Sequence, residues 1–236
     1  MRYKKGLEHS FMNTSSVKVT ALMIVFNEER FLDICLTKII DCVDQIVIVE
    51  GAVEYFWPNS NDGASTDKTV EIIKEWANHY DNRISIVQGR WKNKHDMQKA
   101  GFLKVSNDTD YLFIVDADEM YDRMELEFIF NMAERDKPDV IKYKMRHWGI
   151  GGGFHEKGIF GHPISRVFRW ENDLLPKENN INIFNSNIKP YRQDKVLILD
   201  GYKCDHYGHI DPKRSELKKG FYAHRSSEWK AGLSHG

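Results

Sequence analysis

Tyr111-Leu112-Phe113-Ile114-Val115-Asp116-Ala117-Asp118-Glu119 is the stretch that decides the fold, an apolar run that stops at three acids. A short aliphatic and aromatic run of this kind predicts a buried, parallel strand. The carboxyl tips of such strands are where open α/β sheets place their ligands. Asp116 and Asp118 are separated only by the small Ala117, so at a turn leaving the strand both can face one hard cation. Calcium wants a cage of roughly six to eight oxygens, whereas two carboxylates suit Mg2+ or Mn2+, which keep positions open for phosphates. A solvated strand end gives the same spacing, and so do phosphatases that use paired aspartates as nucleophile and acid. Phosphatase sites follow a first strand and continue Gly-Thr; here the acids follow a fourth strand and continue Glu119-Met120.

Working back from that run, the first half alternates strand and helix signals. Val19 to Phe26 reads as a buried strand, with Asn27 as the N-cap of a helix carrying Glu28 and Glu29 in its first turn. Gln45 to Val49 predicts a second strand ending at Glu50-Gly51, and Ala52 to Ala64 a polar excursion containing Tyr55, Phe56 and Trp57. Ser65 or Thr66 caps a helix through about Tyr80, Ile84 to Val87 is a third strand, and Lys94 to Val105 a third helix. Four strands alternating with three helices imply right-handed βαβ units and a mostly parallel sheet. Beyond the acids the pattern mixes: a helix at Glu125 to Glu134, strands at Val140 to Met145, Ile164 to Arg169 and Lys195 to Leu199, a glycine loop at Gly149 to Gly153, and a helix at Pro212 to Arg225.

Composition narrows the function classes. With 236 residues, 41% hydrophobic and 29% charged, the chain suits one soluble globular domain. A net charge of −1 and a pI of about 6.8 supply no basic field for nucleic acid. Cys35, Cys42 and Cys204 lack paired spacing, which argues against a disulfide framework or structural zinc site and for a reducing, cytoplasmic location. Met1 to Lys18 has no apolar signal-peptide core, and no apolar run reaches the roughly 18 residues of a membrane span.

Other residues could carry chemistry. Glu50 ends the second strand, where acids in nucleotide-binding α/β folds bond ribose hydroxyls or a base. Lys94 opens a helix that also carries Gln98, and its ammonium could approach a diphosphate as a point charge. His206, in the segment Cys204 to Asp211 with a second histidine at His209, is the candidate for a third metal ligand arriving from far along the chain. Each also has a bland reading, as a helix cap, a solvated lysine or a structural histidine.

Together these motifs resemble the GT-A glycosyltransferases of the family-2 type, similar to lipopolysaccharide-core transferases. The resemblance rests on Val25-Phe26-Asn27-Glu28-Glu29, Ile48-Val49-Glu50-Gly51, Asp62-Gly63-Ala64-Ser65-Thr66-Asp67-Lys68-Thr69 and Val115-Asp116-Ala117-Asp118-Glu119, then His206-Tyr207-Gly208 with Lys218, Tyr222 and Arg225. It implies one GT-A domain over 1–236: a donor half at about 17–120, an acceptor-side mixed portion at about 121–210, and a terminal helix at about 211–236. It also implies a nucleoside pocket at Phe26, Asn27 and Glu28, base or ribose contact at Glu50, and phosphate contacts from Lys94, Gln98 and the Asp116-Ala117 segment. Mn2+ or Mg2+ would sit on Asp116 and Asp118, with His206 completing the metal shell or touching the phosphates.

The chain departs from the family pattern in having Glu50 for the usual Asp, and in the insertion from Ala52 to Asn61. The implied reaction moves a sugar from a UDP-, GDP- or TDP-sugar to a glycan or lipid-linked acceptor. For an inverting course, Glu156 is the first choice of base, then Glu178, then Asp173. The rivals are a sugar nucleotidyltransferase, which normally has a glycine-rich loop after strand one, and a catalytically silent nucleotide-sugar-binding subunit. The basic, partly apolar terminal segment reads either as a helix packed on the domain or as a peripheral contact with an anionic membrane.

Overall fold

The computed structural model describes residues 16–149, 154–155, 163–170 and 195–233. Four strands form the parallel half: β1 (Val19–Val25), β2 (Gln45–Glu50), β3 (Ile84–Gln88) and β4 (Tyr111–Ile114). They lie in the order β3-β2-β1-β4, with β1 at the centre in parallel register with both β2 and β4.

Alternation along these strands divides the core into two faces. Ala21, Met23 and Val25 of β1 and Ile46 and Ile48 of β2 pack with α1 (Leu32–Ile39) and Ile73 of α2 (Thr69–His79). Leu22, Val47 and Val49 face the other way, with Met97 and Phe102 of α3 (Lys94–Phe102). In α1 the buried positions are Leu32, Cys35, Leu36 and Ile39, the spacing of one helical stripe. Each fully buried aliphatic side chain contributes about 1.5–3 kcal/mol, so this two-faced burial holds the β1–β4 tips in place.

The sequence-based helix starts need correction. Asn27 does not cap α1, which begins at Leu32 after a turn closed by Phe31 N–H and Leu32 N–H to the Glu28 carbonyl. Asn27 sits at φ 55°, a left-handed conformation that ends the strand instead. Likewise α2 begins at Thr69 rather than after Ser65 or Thr66, and Asp67 Oδ1 takes the Thr69 N–H at 2.9 Å. The helix signals were sound, but these polar side chains have distant partners that outcompete capping.

The second half adds β5 (Glu119–Met120), α4 (Arg123–Asp136), β6 (Val140–Trp148), β7 (Phe154–His155), β8 (Ile164–Arg169), β9 (Val196–His206) and α5 (Pro212–Leu233). The sheet continues β4-β8-β6-β9-β5, with β7 on β6, making one mixed α/β sheet. β8 runs antiparallel to β4 and β6, whereas β9 runs parallel to β6. The β6–β9 register jumps from Tyr143 opposite Leu199 to Lys144 opposite Lys203, so residues 200–202 bulge out. That bulge sets His206 opposite His147, while on its other edge His206 pairs with Glu119 of β5. Among the described residues no helix is long and apolar enough to cross a membrane.

Candidate active site

The turn leaving β4 is closed by Glu119 N–H to the Asp116 carbonyl at 3.0 Å, which presents Asp116 and Asp118 around buried Ala117. Asp116 Oδ2 accepts from Arg166 at 3.0 Å and keeps 31% of its side chain exposed. Asp118 is only 2% exposed; Lys218 Nζ of α5 lies 2.7 Å from its Oδ2, and His206 Nε2 lies 3.6 Å from its Oδ1. Its carbonyl accepts the Tyr207 N–H at 2.8 Å, which pins the chain after β9 to this turn. Acids from the middle of the sequence therefore meet a lysine and a histidine from its end at one place.

Glu119 lies deeper. It is fully buried, bonded to Arg166 through Oε1 and to the Tyr121 hydroxyl through Oε2 at 2.8 Å, and Tyr143 donates on to Tyr121 at 3.0 Å. Burial pushes the Glu119 carboxyl up to about 8, more than Arg166 can offset. Desolvation would also raise Asp116, but Arg166, helped by Lys94 and His206, holds it below the ordinary carboxylate range. Of these two acids sharing one guanidinium, Asp116 is the one that stays ionised most readily.

Arg166 lies in the strand expected at Ile164 to Arg169, but it was not among the residues singled out from sequence. The available signal was a charged residue within a run whose neighbours Val167 and Phe168 are buried. Such an arginine must be paired.

Histidines line the other side of Asp118. His206 Nδ1 and His147 Nδ1 are 2.9 Å apart, and His147, His206 and His209 bring ligand atoms within 4.8 Å of one another. Burial drives His206 down to about 4 against the pull of Asp118, and it also lowers His147. Both rings are neutral near pH 7.

The remaining residues singled out from sequence lie on the β1 and β2 tips and on α3. Glu50 is fully buried, its Oε1 accepting from Ser65 N–H at 2.8 Å and its Oε2 from Gln88 Nε2 at 3.1 Å. Asn27 Oδ1 accepts from Thr66 N–H at 2.8 Å, its own N–H donates to Ser65 Oγ at 2.9 Å, and Glu28 N–H donates to Thr69 Oγ1 at 2.7 Å. These bonds tie the β1 and β2 tips to the segment 65–69. Phe26 stacks on Phe56 of the insertion at 5.7 Å, and Phe56 on Phe221 of α5 at 5.4 Å. Lys94 Nζ lies 5.5 Å from the centre of the Phe221 ring, while Gln98, one turn on, is buried with no partner for Nε2 among the described residues. Glu156, Asp173 and Glu178 lie outside the described residues.

The sequence profile of glycosyl transferase family 2 matches residues 20–196, three quarters of the chain, including the β4 tip and Arg166 but not the site residues from His206 onward. The chain belongs to that family. Among solved structures, mannosyltransferase PcManGT from Pyrobaculum calidifontis, in complex with GDP-Man and Mn2+, superposes with a TM-score of 0.54 at 18% identity, covering 87% of this chain and 61% of that one. S. aureus TarS 1-349 gives 0.52 at 14% identity, over 85% of this chain and 63% of that one. Both likenesses speak for the GT-A fold, and this chain spans less than two thirds of either relative's length. No curated protein matches significantly. For a family-2 domain, the β4 tip with its paired aspartates is the natural place to look for chemistry, and Arg166, Lys218 and His206 are what this chain adds around it.

Proposed function

We propose that this domain transfers a sugar from a nucleotide-sugar donor to an acceptor hydroxyl, with inversion at the anomeric carbon. One observation carries the reading: Asp118 is buried with an ammonium at 2.7 Å, beside an ionised Asp116 that opens to solvent. Such a place favours positive charge where the site meets solvent. Two carboxylates and a neutral imidazole nitrogen 3.6 Å from Asp118 are donors that suit a hard divalent cation, although the three ligand atoms do not all lie within 4.8 Å of one another and would have to draw together around it. Mn2+ or Mg2+ held by Asp116, Asp118 and His206 would supply the charge that stabilises a departing nucleoside diphosphate.

This chain's own residues do the rest. Lys94 meets phosphate oxygens as a point charge, and the unpartnered Gln98 amide donates from the turn behind it. Ala117, small and buried, lets the backbone between the aspartates approach the diphosphate. Phe26, Asn27 and Glu28 form the nucleoside side, with Glu50 supporting it from below through Ser65. Glu156 is the proposed base that takes the acceptor proton, with Glu178 as the alternative.

The GDP-Man and Mn2+ held by PcManGT support a donor of the UDP-, GDP- or TDP-sugar class. The acceptor class is a glycan or a lipid-linked saccharide; exposed Leu217 and Tyr222 on α5 favour a lipid surface, which flotation with anionic vesicles tests. Nucleotide release from a panel of UDP-, GDP- and TDP-sugars, with and without Mn2+, tests the whole reading. Release with one donor that needs the cation supports it; no release or transfer with any, and no Mn2+-dependent nucleotide binding, overturns it.

A further inference from the structure

The geometry points to a second metal site, made by His147, His206 and His209, that takes a borderline transition ion such as Zn2+. It shares His206 with the proposed donor site but takes that ring through Nδ1, toward His147, and not through the Nε2 that faces Asp118, so the two uses of the ring can be tested apart. Three elements supply them: β6, the last residue of β9, and the turn before α5. Among the described residues it is the one group of three His, Cys, Asp or Glu side chains whose ligand atoms all lie within 4.8 Å. Nitrogens around a tetrahedral ion with Zn–N bonds of about 2.0–2.1 Å stand about 3.3–3.4 Å apart. The 2.9 Å between the Nδ1 atoms of His147 and His206 is close to that spacing, and the ligand atom of His209 lies within 4.8 Å of the other two, leaving a fourth position for water.

The surroundings are built as a metal site needs. His206 Nε2 faces Asp118 Oδ1 at 3.6 Å, the carboxylate that a metal-binding histidine characteristically holds with its other ring nitrogen. With Nε2 turned to Asp118, Nδ1 is the His206 nitrogen that faces His147. The ladder is braced next door, where Asp205 receives both Arg146 and the Trp148 indole, the latter at 2.8 Å, and Trp148 stacks on Tyr207 at 6.0 Å. Gly208 leaves room for the His206 ring, since a Cβ there would meet its Cε1 at 2.5 Å. His147 and His209 are only half-buried, which leaves an entry path for the ion.

Imidazole ligands select Zn2+, Ni2+ or Co2+, whereas the Asp116–Asp118 fork selects Mg2+ or Mn2+. Bound at the trio, the ion clamps β6 to the β9 end and fixes His206 against Asp118. The test is a Co2+ titration of the chelator-treated full chain, followed by visible absorption, with Zn2+ as competitor. The expected result is one equivalent of Co2+ with the intense bands of a four-coordinate nitrogen site, displaced by Zn2+. His147→Ala and His209→Ala should each lose those bands and weaken Zn2+ binding by at least about a hundredfold. Asp116→Asn should keep the bands while losing Mn2+-dependent nucleotide binding, which separates failure of this site from failure of the fork. X-ray absorption of the wild-type Zn2+ form, needing no variant, should show three nitrogen ligands. Absence of stoichiometric binding, a shell dominated by oxygen, or bands that survive His209→Ala and vanish in Asp116→Asn overturns the inference.

Discussion

Two strand tips in one sheet make an instructive contrast. β2 and β4 are both buried parallel strands that end in acids. At the β2 tip, Glu50 spends both oxygens on neutral donors, the Ser65 N–H and the Gln88 amide. At the β4 tip, Asp116, Asp118 and Glu119 are met by Arg166, Lys218 and His206. Fixed dipoles satisfy the first acid without any exchangeable charge, which makes it a brace. Two cations, Arg166 and Lys218, and a neutral imidazole meet the second group, and on the proposed function one of the cations gives way to a metal or shares a diphosphate. Position at a carboxyl tip brings an acid to the right edge of the sheet, but its partners decide what it does there.

The largest effect that would break this contrast is on turnover. Asp118→Asn should lower sugar transfer by at least about a thousandfold, since charge stabilisation of this kind is worth several kcal/mol. Circular dichroism should show the fold intact, and near-normal turnover would remove the β4 tip from the chemistry. Next, Arg166→Met leaves Asp116 and Glu119 without their shared cation and should cost about 3–5 kcal/mol in denaturant unfolding. Glu50→Ala orphans the Ser65 N–H and the Gln88 amide, for about 1–3 kcal/mol, with any loss of nucleotide binding following the loss of stability.

Two graded effects of pH sharpen the picture. Glu119 binds its proton more tightly folded than unfolded, so its contribution is full below pH 4.5 and is lost as pH rises through about 8. Thermal melts of Glu119→Gln should lack that decline. His206 is depressed to about 4, so its contribution is present above about 6.5 and is lost as pH falls through 4. Substituting His206 with Asn should remove that acid-side loss. The smallest effect belongs to the surface of the parallel half: Lys18→Met breaks an exposed pair with Asp44 at 3.3 Å and should change stability by less than about 1 kcal/mol.

The parallel half was legible in sequence because its signals are local. Apolar runs at 19–26, 45–49 and 111–115 mark strands buried on both faces, and the acids at 116 and 118 follow from the third. Its errors came from polar residues with long-range partners: Asn27 and Ser65 bond one another across 38 positions, so neither caps its nearest helix. The mixed half depends on register, which periodicity does not carry. His206 reaches Asp118 only because β9 runs on through a bulge and pairs with β6 on one side and β5 on the other. His147 went unnoticed because the strand at 140–145 continues to Trp148, beyond its apolar pattern.

The central claim is that the β4 tip holds a divalent cation against a nucleoside diphosphate. Titration calorimetry of the full chain with UDP and with GDP, each with and without Mn2+, tests it most directly when repeated on Asp118→Asn. The account predicts that one nucleotide binds the wild-type protein in a Mn2+-dependent manner, and that the variant loses the Mn2+ dependence while staying folded. Equal binding with and without Mn2+, or an unchanged Mn2+ response in Asp118→Asn, would contradict it.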